Sequence, residues 1–311
     1  MSPSVGYLLP TREQIMEGRP QATPLLRLAE RAEELGFDSV WVGDSLTSRP
    51  RHEPLTLLAG VAGRTRRVAL GTAVLLPALR HPILMAQQIA TLDQISEGRV
   101  ILGVGIAQDY PNIRAEFAAA AVPWEKRIGR MIEGLQLCRA LWSGSRWIGT
   151  GAGSSPGNEL HRRRIGRADH RSGAAGWCAR HFTASPVTSG WLPNGTPPAQ
   201  WREQWGHIRE VSQTEGRRPE DLTGAVYLTV SLDEDEDRAV ERAGGYLERY
   251  YGRPAKELLT EQPYYAGAPQ GVAELLARYQ AAGVQHFVLR FTGDHDGHLE
   301  AIARVRGDLG W

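Results

Sequence analysis

The sequence predicts an α/β protein built as a single (β/α)8 barrel domain over residues 1–311. Three observations carry that reading. Strand-like apolar runs alternate with helical runs along most of the chain, which is the rhythm of βα units and a parallel sheet. The two clearest runs, Val68–Leu76 and Arg99–Ile106, are apolar at nearly every residue, as strands covered on both faces are. Four units precede residue 143 and about three follow residue 189, which leaves room for one more between them.

The elements follow in order. Val5–Leu9 is a short strand that Pro10 ends, and Thr23-Pro24 reads as an N-cap with proline at the first helical position. That helix runs to Leu35, with Gly36 at the position after the C-cap, and Asp38–Val42 forms the second strand. Pro54–Gly63 reads as a helix, Val68–Leu76 as the third strand, Pro82–Ser96 as a helix and Arg99–Ile106 as the fourth strand. Ile113–Leu141 carries helical periodicity, with Ile128, Ile132, Leu135, Cys138 and Leu141 on one face. Further on, Gly190–Pro193 is a very short apolar stretch, Gln200–Gln213 an amphipathic helix and Ala225–Leu232 a strand. Asp233–Asp237 suits the positive end of a helix dipole, Gly271–Ala282 is a helix, and His286–Phe291 is the last strand.

Ser143–Ser189 breaks the pattern. It holds glycine, serine and arginine without a helical or strand period, and includes His161-Arg162-Arg163-Arg164 with Arg167, His170 and Arg171 close behind. The expectation is an irregular insert in place of a regular fifth unit; a basic anion-binding loop is the functional alternative.

Composition narrows the function classes. A formal net charge of +1 gives no reason to expect nucleic acid or an anionic membrane as partner. No apolar run approaches the roughly 18 residues of a membrane span and no basic-then-apolar leader opens the chain, so a cytoplasmic protein is expected. Cys138 and Cys178 have neither metal-ligand nor redox spacing, and no metal site is expected. A Gly-x-Ser-x-Gly elbow, a Walker loop and a His-Glu-x-x-His pair are all missing, the picture expected where an organic cofactor carries the reaction.

A barrel of this kind places its site at the C-terminal strand ends. Asp44, after the second strand, is a candidate to orient a cofactor ring or substrate hydroxyl, or else to cap its own loop. His81 is a candidate ligand for an anionic group, or a capping residue of the proline-initiated helix. Gly103-Val104-Gly105 lets a ligand approach the backbone but lacks the third glycine of the dinucleotide fingerprint. Asp109, Tyr110 and Asn112 overhang the mouth, and Tyr110 offers a flat face and a hydroxyl. His81 and Tyr110 are therefore the catalytic candidates. Arg127, Arg130 and Glu133 recur every three residues and read as a surface salt-bridge face.

Several stretches together resemble the bacterial luciferase-like monooxygenases, the flavin- or deazaflavin-dependent barrel oxidoreductases. They are LAERAEELGFDSVWVGDS (28–45), VALGTAVLLPALRHPILMAQQIATLDQISEGRVILGVGIA (68–107) and RIGRMIEGLQLCRALW (127–142), with GWLPNG (190–195) and GVQHFVLRF (283–291). The resemblance implies a flavin across the barrel mouth, FMN or alternatively coenzyme F420. The cofactor-binding residues would be Leu8, Asp44, Thr72, Ala73, Val74, Gly103, Val104, Gly105 and Ile106, with Leu9 close by. It also implies a bulged, often cis, non-proline peptide around Ala73-Val74. Gly43-Asp44-Ser45 stands where F420 users often carry Ser-Asp-His, which leaves the cofactor open.

The activity implied is monooxygenation of a small organic substrate by reduced flavin and O2. F420-dependent hydride transfer and a non-catalytic flavin-binding paralogue are the alternatives. The apolar mouth (Leu8, Leu9, Val74, Leu75, Ile106) suggests a mostly apolar substrate. The resemblance further implies a homodimer and a separate flavin reductase as partner.

The departure is at 143–185, where relatives place a strand of the type P-x-W-x-G-G and a helix; RWIGTGAG (146–153) and GAAGWCARHF (173–182) are its nearest echoes. Arg146–Ser154, back-translated with GC-rich codons, also encodes Val-Asp-Arg-Asp-Gly-Arg-Trp-Gln in a neighbouring frame, which resembles the family. Part of the segment is thus expected to be a frame-shifted reading, which sequencing the gene checks.

Overall fold

A computed structural model describes residues 2–143, 177–178, 189–261 and 264–311. Its strands are β1 (Ser4–Leu8), β2 (Ser39–Val42), β3 (Ala69–Thr72), β4 (Val100–Ile101), β5 (Gly103–Val104), β6 (Trp177–Cys178), β7 (Gly190–Trp191), β8 (Thr223–Leu232), β9 (Tyr264–Gly267) and β10 (His286–Phe291). They run in the order β4-β3-β2-β1-β10-β8-β7-β6-β5, with β9 added beside β8. Every pair is parallel.

Two of these short strands are halves of one run. β4 and β5 are parted only by Leu102; β4 pairs with β3, and β5 pairs with β6. A further bridge joins Leu75 to Val104, so the sheet closes on itself as a (β/α)8 barrel, the class the sequence predicts. Trp177–Cys178 takes the fifth barrel position, between Gly103–Val104 and Gly190–Trp191. The basic run at 161–171 and the candidate frame-shifted stretch at 146–154 lie outside the described residues.

The helices are α1 (Glu13–Met16), α2 (Thr23–Glu34), α3 (Pro54–Arg64), α4 (Pro82–Ile95), α5 (Pro111–Ala119), α6 (Arg127–Ser143), α7 (Pro198–Thr214), α8 (Glu236–Tyr251), α9 (Ala255–Glu261), α10 (Pro269–Ala282) and α11 (His295–Asp308). The expected single helix over Ile113–Leu141 is two. Ala121 sits at φ 53°, and Pro123, which cannot donate to a preceding turn, starts a short 3-10 turn at Trp124–Lys126 before α6. Thr23 is the first residue of α2 rather than its cap, and Ala22 at the N-cap has no side-chain bond to offer. α9 and β9 have no counterpart in the sequence reading, because 252–268 shows no sustained period.

Alternation along the strands sorts the core into two layers. Val5, Tyr7, Val40, Val42, Leu70, Val104, Val226, Leu228, Phe287 and Leu289 face the surrounding helices in one large cluster. Leu8, Trp41, Leu192, Ala225 and Val288 fill the barrel interior, with Ala73, Ile101 and Tyr227 against them. Trp41 is the largest interior group. It fits because its neighbours on β3 and β5, Gly71 and Gly103, carry no side chain: a Cβ on Gly71 would stand 2.1 Å from its ring.

Two buried histidines make the fold acid-sensitive. His286 Nε2 lies 2.8 Å from Ser39 Oγ at the bottom of the barrel, and burial pushes its pKa down to about 3. His298 accepts the Leu232 N–H at Nε2 (2.8 Å), and burial pushes it down to about 4. In the unfolded chain both regain roughly 6.5. Below that pH the unfolded state binds protons that the folded state refuses, so stability present above pH 6.5 is lost on acidification, down to about 4 for His298 and about 3 for His286. The loss approaches about 1.4 kcal/mol per pH unit for each histidine. Urea denaturation at pH 7.5, 6 and 5 should show this slope, reduced by one proton in His298→Gln; an equal slope in both proteins contradicts it.

Candidate active site

A cleft of about 500 Å3 opens at the C-terminal strand ends. Ala73, Val74, Gly105, Ile106 and Leu192 give it an apolar floor. The Ala73–Val74 peptide is cis. Tyr110, at the N-cap of α5, and Tyr227, Tyr250 and Tyr251 stand on its walls.

The carboxylates of the cleft are committed to the protein itself. Asp44, with a side chain only 1% exposed, accepts the Leu76 N–H at 2.8 Å and both terminal nitrogens of Arg80. It ties the segment after the cis peptide to the end of β2. Glu116 on α5 accepts Ser45 Oγ (2.7 Å), Thr47 N (2.8 Å), Ser48 N (3.3 Å) and the Leu46 N–H. Burial works to raise its pKa, but these bonds hold the carboxyl below the usual glutamate range. Asp109 pairs with Arg114 at 2.6 Å.

Three of the cations are not committed in this way. Arg49, Arg51 and Arg127 line the cleft, and none of them has an ion pair among the described residues. Arg49 stacks over the Tyr251 ring at 4.7 Å and Arg127 over Trp124 at 3.7 Å, while Arg51 Nη2 donates to the Tyr250 hydroxyl at 2.8 Å. Arg290, on β10 and 2% exposed, donates to Thr229 Oγ1 (2.6 Å) and to the Tyr251 hydroxyl (3.0 Å). The rings of Tyr227, Tyr246, Tyr250 and Tyr251 surround it at 5.1–5.6 Å. Burial pushes the Tyr227 phenol up, so it stays protonated beside this guanidinium. The arrangement gives a flat, apolar floor beneath positively charged walls, suited to a planar ligand with an anionic arm.

The structure brings together Asp44, Ala73, Val74, Gly105, Ile106 and Tyr110. It sets four other expected contacts below the cleft lining. Leu8 packs in the barrel interior, Val104 faces the helices, Thr72 Oγ1 is bonded to Gly103 O at 2.7 Å, and Gly103 sits against Thr72 and Trp41. The reason is the strand period: contiguous residues cannot all face one side. His81 is exposed at the N-cap of α4, outside the lining and without a side-chain cap bond. The expected surface salt bridges of Arg127 and Arg130 are replaced by the stack on Trp124 and a bond from Arg130 Nε to Ala78 O at 3.3 Å. The arginines and the tyrosine walls were missed. One available signal was Arg290 itself, a lone cation in the buried strand His286–Phe291.

The family described as luciferase-like monooxygenase matches residues 4–310. The chain belongs to that family. Among these luciferase-like relatives, an F420-dependent glucose-6-phosphate dehydrogenase of Nakamurella multipartita is 30% identical over 300 residues, covering 92% of this chain and 84% of its own. A 5,10-methylenetetrahydromethanopterin reductase of Methanolobus tindarius is 30% identical over 223 residues, 71% of this chain and 66% of its own. Among solved structures, a monooxygenase of Streptomyces bottropensis superposes with a TM-score of 0.74 at 23% identity, covering 99% of this chain and 100% of its own, a likeness of fold. As a luciferase-like family member the chain is an oxidoreductase. Among the described residues no helix is long and apolar enough to cross a membrane.

Proposed function

We propose that this protein is an F420-dependent oxidoreductase, moving a hydride between the deazaflavin and a small organic substrate at the barrel mouth. The observation that carries the reading is the near-full-length similarity, 30% over 92% of the chain, to a relative that bears F420 in its name. The residues present fit the group. Bound in the cleft, F420 supplies a two-electron carrier that exchanges hydride. Ala73, Val74, Gly105 and Ile106 offer a flat floor for its ring. Arg49, Arg51 and Arg127, which have no carboxylate partner among the described residues, would hold its anionic arm. Asp44, bonded to Leu76 N and to both terminal nitrogens of Arg80, keeps the ring-side loop in place. Tyr110, on the cleft wall, is the better-placed candidate to contact the substrate; His81 is outside the lining.

FMN with O2 chemistry is the competing reading. Fluorescence titration of the purified protein with each cofactor separates them. F420 is expected to bind at micromolar concentration or tighter and at least about tenfold better than FMN, with affinity falling as salt rises because the walls are cationic. Tighter binding of FMN selects the monooxygenase reading, and binding of neither sinks the enzyme reading.

A further inference from the structure

Proton transfer has few candidates in the cleft. Hydride exchange at a carbon that bears oxygen also moves a proton to or from that oxygen. The described lining contains no histidine, lysine or cysteine, and its three acids, Asp44, Asp109 and Glu116, are already bonded within the protein. Tyrosine hydroxyls remain. Those of Tyr250 and Tyr251 already accept from Arg51 and Arg290. The hydroxyls of Tyr110 and Tyr227 make no hydrogen bond among the described residues.

Topology separates these two. With β4 and β5 counted as one strand, the barrel runs β1, β2, β3, β4/β5, β6, β7, β8 and β10, which sets β8 opposite β3. Tyr227 on β8 therefore stands across the mouth from the cis Ala73–Val74 peptide, whereas Tyr110 follows β5, on the same side as the floor. Ala225 and Tyr227 both point to the interior cluster, as alternation along β8 requires. The Tyr227 backbone is paired with Val288 of β10 and with Asn194, so the surface it keeps in the cleft belongs to its side chain.

The surroundings suit a phenol that gives up its proton for the length of one step. Burial holds it protonated at rest, while the Arg290 guanidinium, 5.3 Å from its ring, and the charge of Arg51 favour the phenolate left behind. The phenols of Tyr250 and Tyr251 on α8 are the other titratable groups that act on it.

We propose that Tyr227 is the acid–base residue of this site, its hydroxyl donating to the oxygen of a small, mostly apolar carbonyl substrate. This assignment rests on the hydride-transfer function proposed above, whose reduced deazaflavin supplies the two electrons. When hydride reaches the carbonyl carbon, the C=O π pair moves onto oxygen. That oxygen takes the Tyr227 proton: the phenolic O–H bond breaks and the product O–H bond forms. Water entering the open cleft then returns a proton to Tyr227. Oxidation of an alcohol runs the same transfers in the opposite direction.

Cyclohexanone labelled with 13C at the carbonyl is the probe, followed by NMR in purified protein with and without F420, and F420 and FMN binding is measured separately on the same samples. Saturable binding with a downfield carbonyl shift is expected, the signature of an accepted hydrogen bond. Tyr227→Phe should abolish the shift and weaken binding about three- to tenfold, with a melting temperature near that of the parent, because the deleted hydroxyl has no partner among the described residues. Tyr227→Leu should show the same losses. In protein loaded with reduced F420, Tyr227→Phe should slow cyclohexanone reduction at least about a hundredfold. No saturable binding by protein that takes up F420 overturns the assignment. So does a shift kept in both Tyr227 variants, a shift lost only in Tyr110→Phe, or equal reduction rates, zero included. A Tyr227-dependent shift in protein that takes up neither F420 nor FMN supports the contact and removes the enzyme reading instead.

Discussion

Gly103→Ala is expected to lower the folding free energy by about 3 kcal/mol or more, read from urea denaturation midpoints at constant m-value. A Cβ at this position would stand 2.0 Å from the Thr72 carbonyl oxygen, a backbone atom that cannot rotate away. Moving the strand is the only relief. That would stretch the bond from Leu75 N to Gly103 O (2.8 Å) and the one from Thr72 Oγ1 to Gly103 O (2.7 Å), both at the seam where the barrel closes. Crowding in a packed core and loss of buried hydrogen bonds are among the few mechanisms that give effects this large. Gly129→Ala is the control: a Cβ there, on α6, meets nothing within 4 Å, so it should be neutral or stabilise by up to about 1 kcal/mol. Equal effects of the two substitutions contradict the account.

The second large effect is on binding. Arg290→Met is expected to weaken F420 at least about tenfold while lowering stability by no more than about 2 kcal/mol. Stability and binding separate here because of what surrounds the guanidinium. Its contacts include Thr229, Tyr251 and the faces of four tyrosines. Methionine fills a similar volume and keeps a polarisable apolar group against the four rings. What disappears is a cation on the cleft wall, so the salt dependence of binding should shrink as well. Unchanged affinity, or a protein that no longer folds, would show that Arg290 serves the barrel and not the ligand.

Much of the fold was legible because its signals are local. Pro82 at the start of α4, Gly36 after α2 and the apolar runs around Leu70 and Val288 each report on a few neighbouring residues. The fate of Ile113–Leu141 was legible only in part, since periodicity continues on both sides of a break that Ala121 and Pro123 impose. The site was half legible. Ala73, Val74, Gly105 and Ile106 lie at the ends of strands that the pattern marks. The cationic wall is assembled from Arg49 and Arg51 in the β2 loop, Arg127 on α6 and Arg290 on β10, with tyrosines of α8 between them, and no spacing along the sequence records that meeting.

The sequence by itself determined the alternation of strands and helices, the end of the barrel that carries the site and the family. These follow from residue preferences that act over one turn or one pleat, and from motifs contiguous in the chain. Tertiary structure alone decided which alternate residues enter the cleft. It left Leu8 and Val104 below it, paired Asp44 with Arg80, and gathered four tyrosines around Arg290. Side-chain direction in a closed barrel depends on strand register, and register is fixed by pairing between strands distant in sequence.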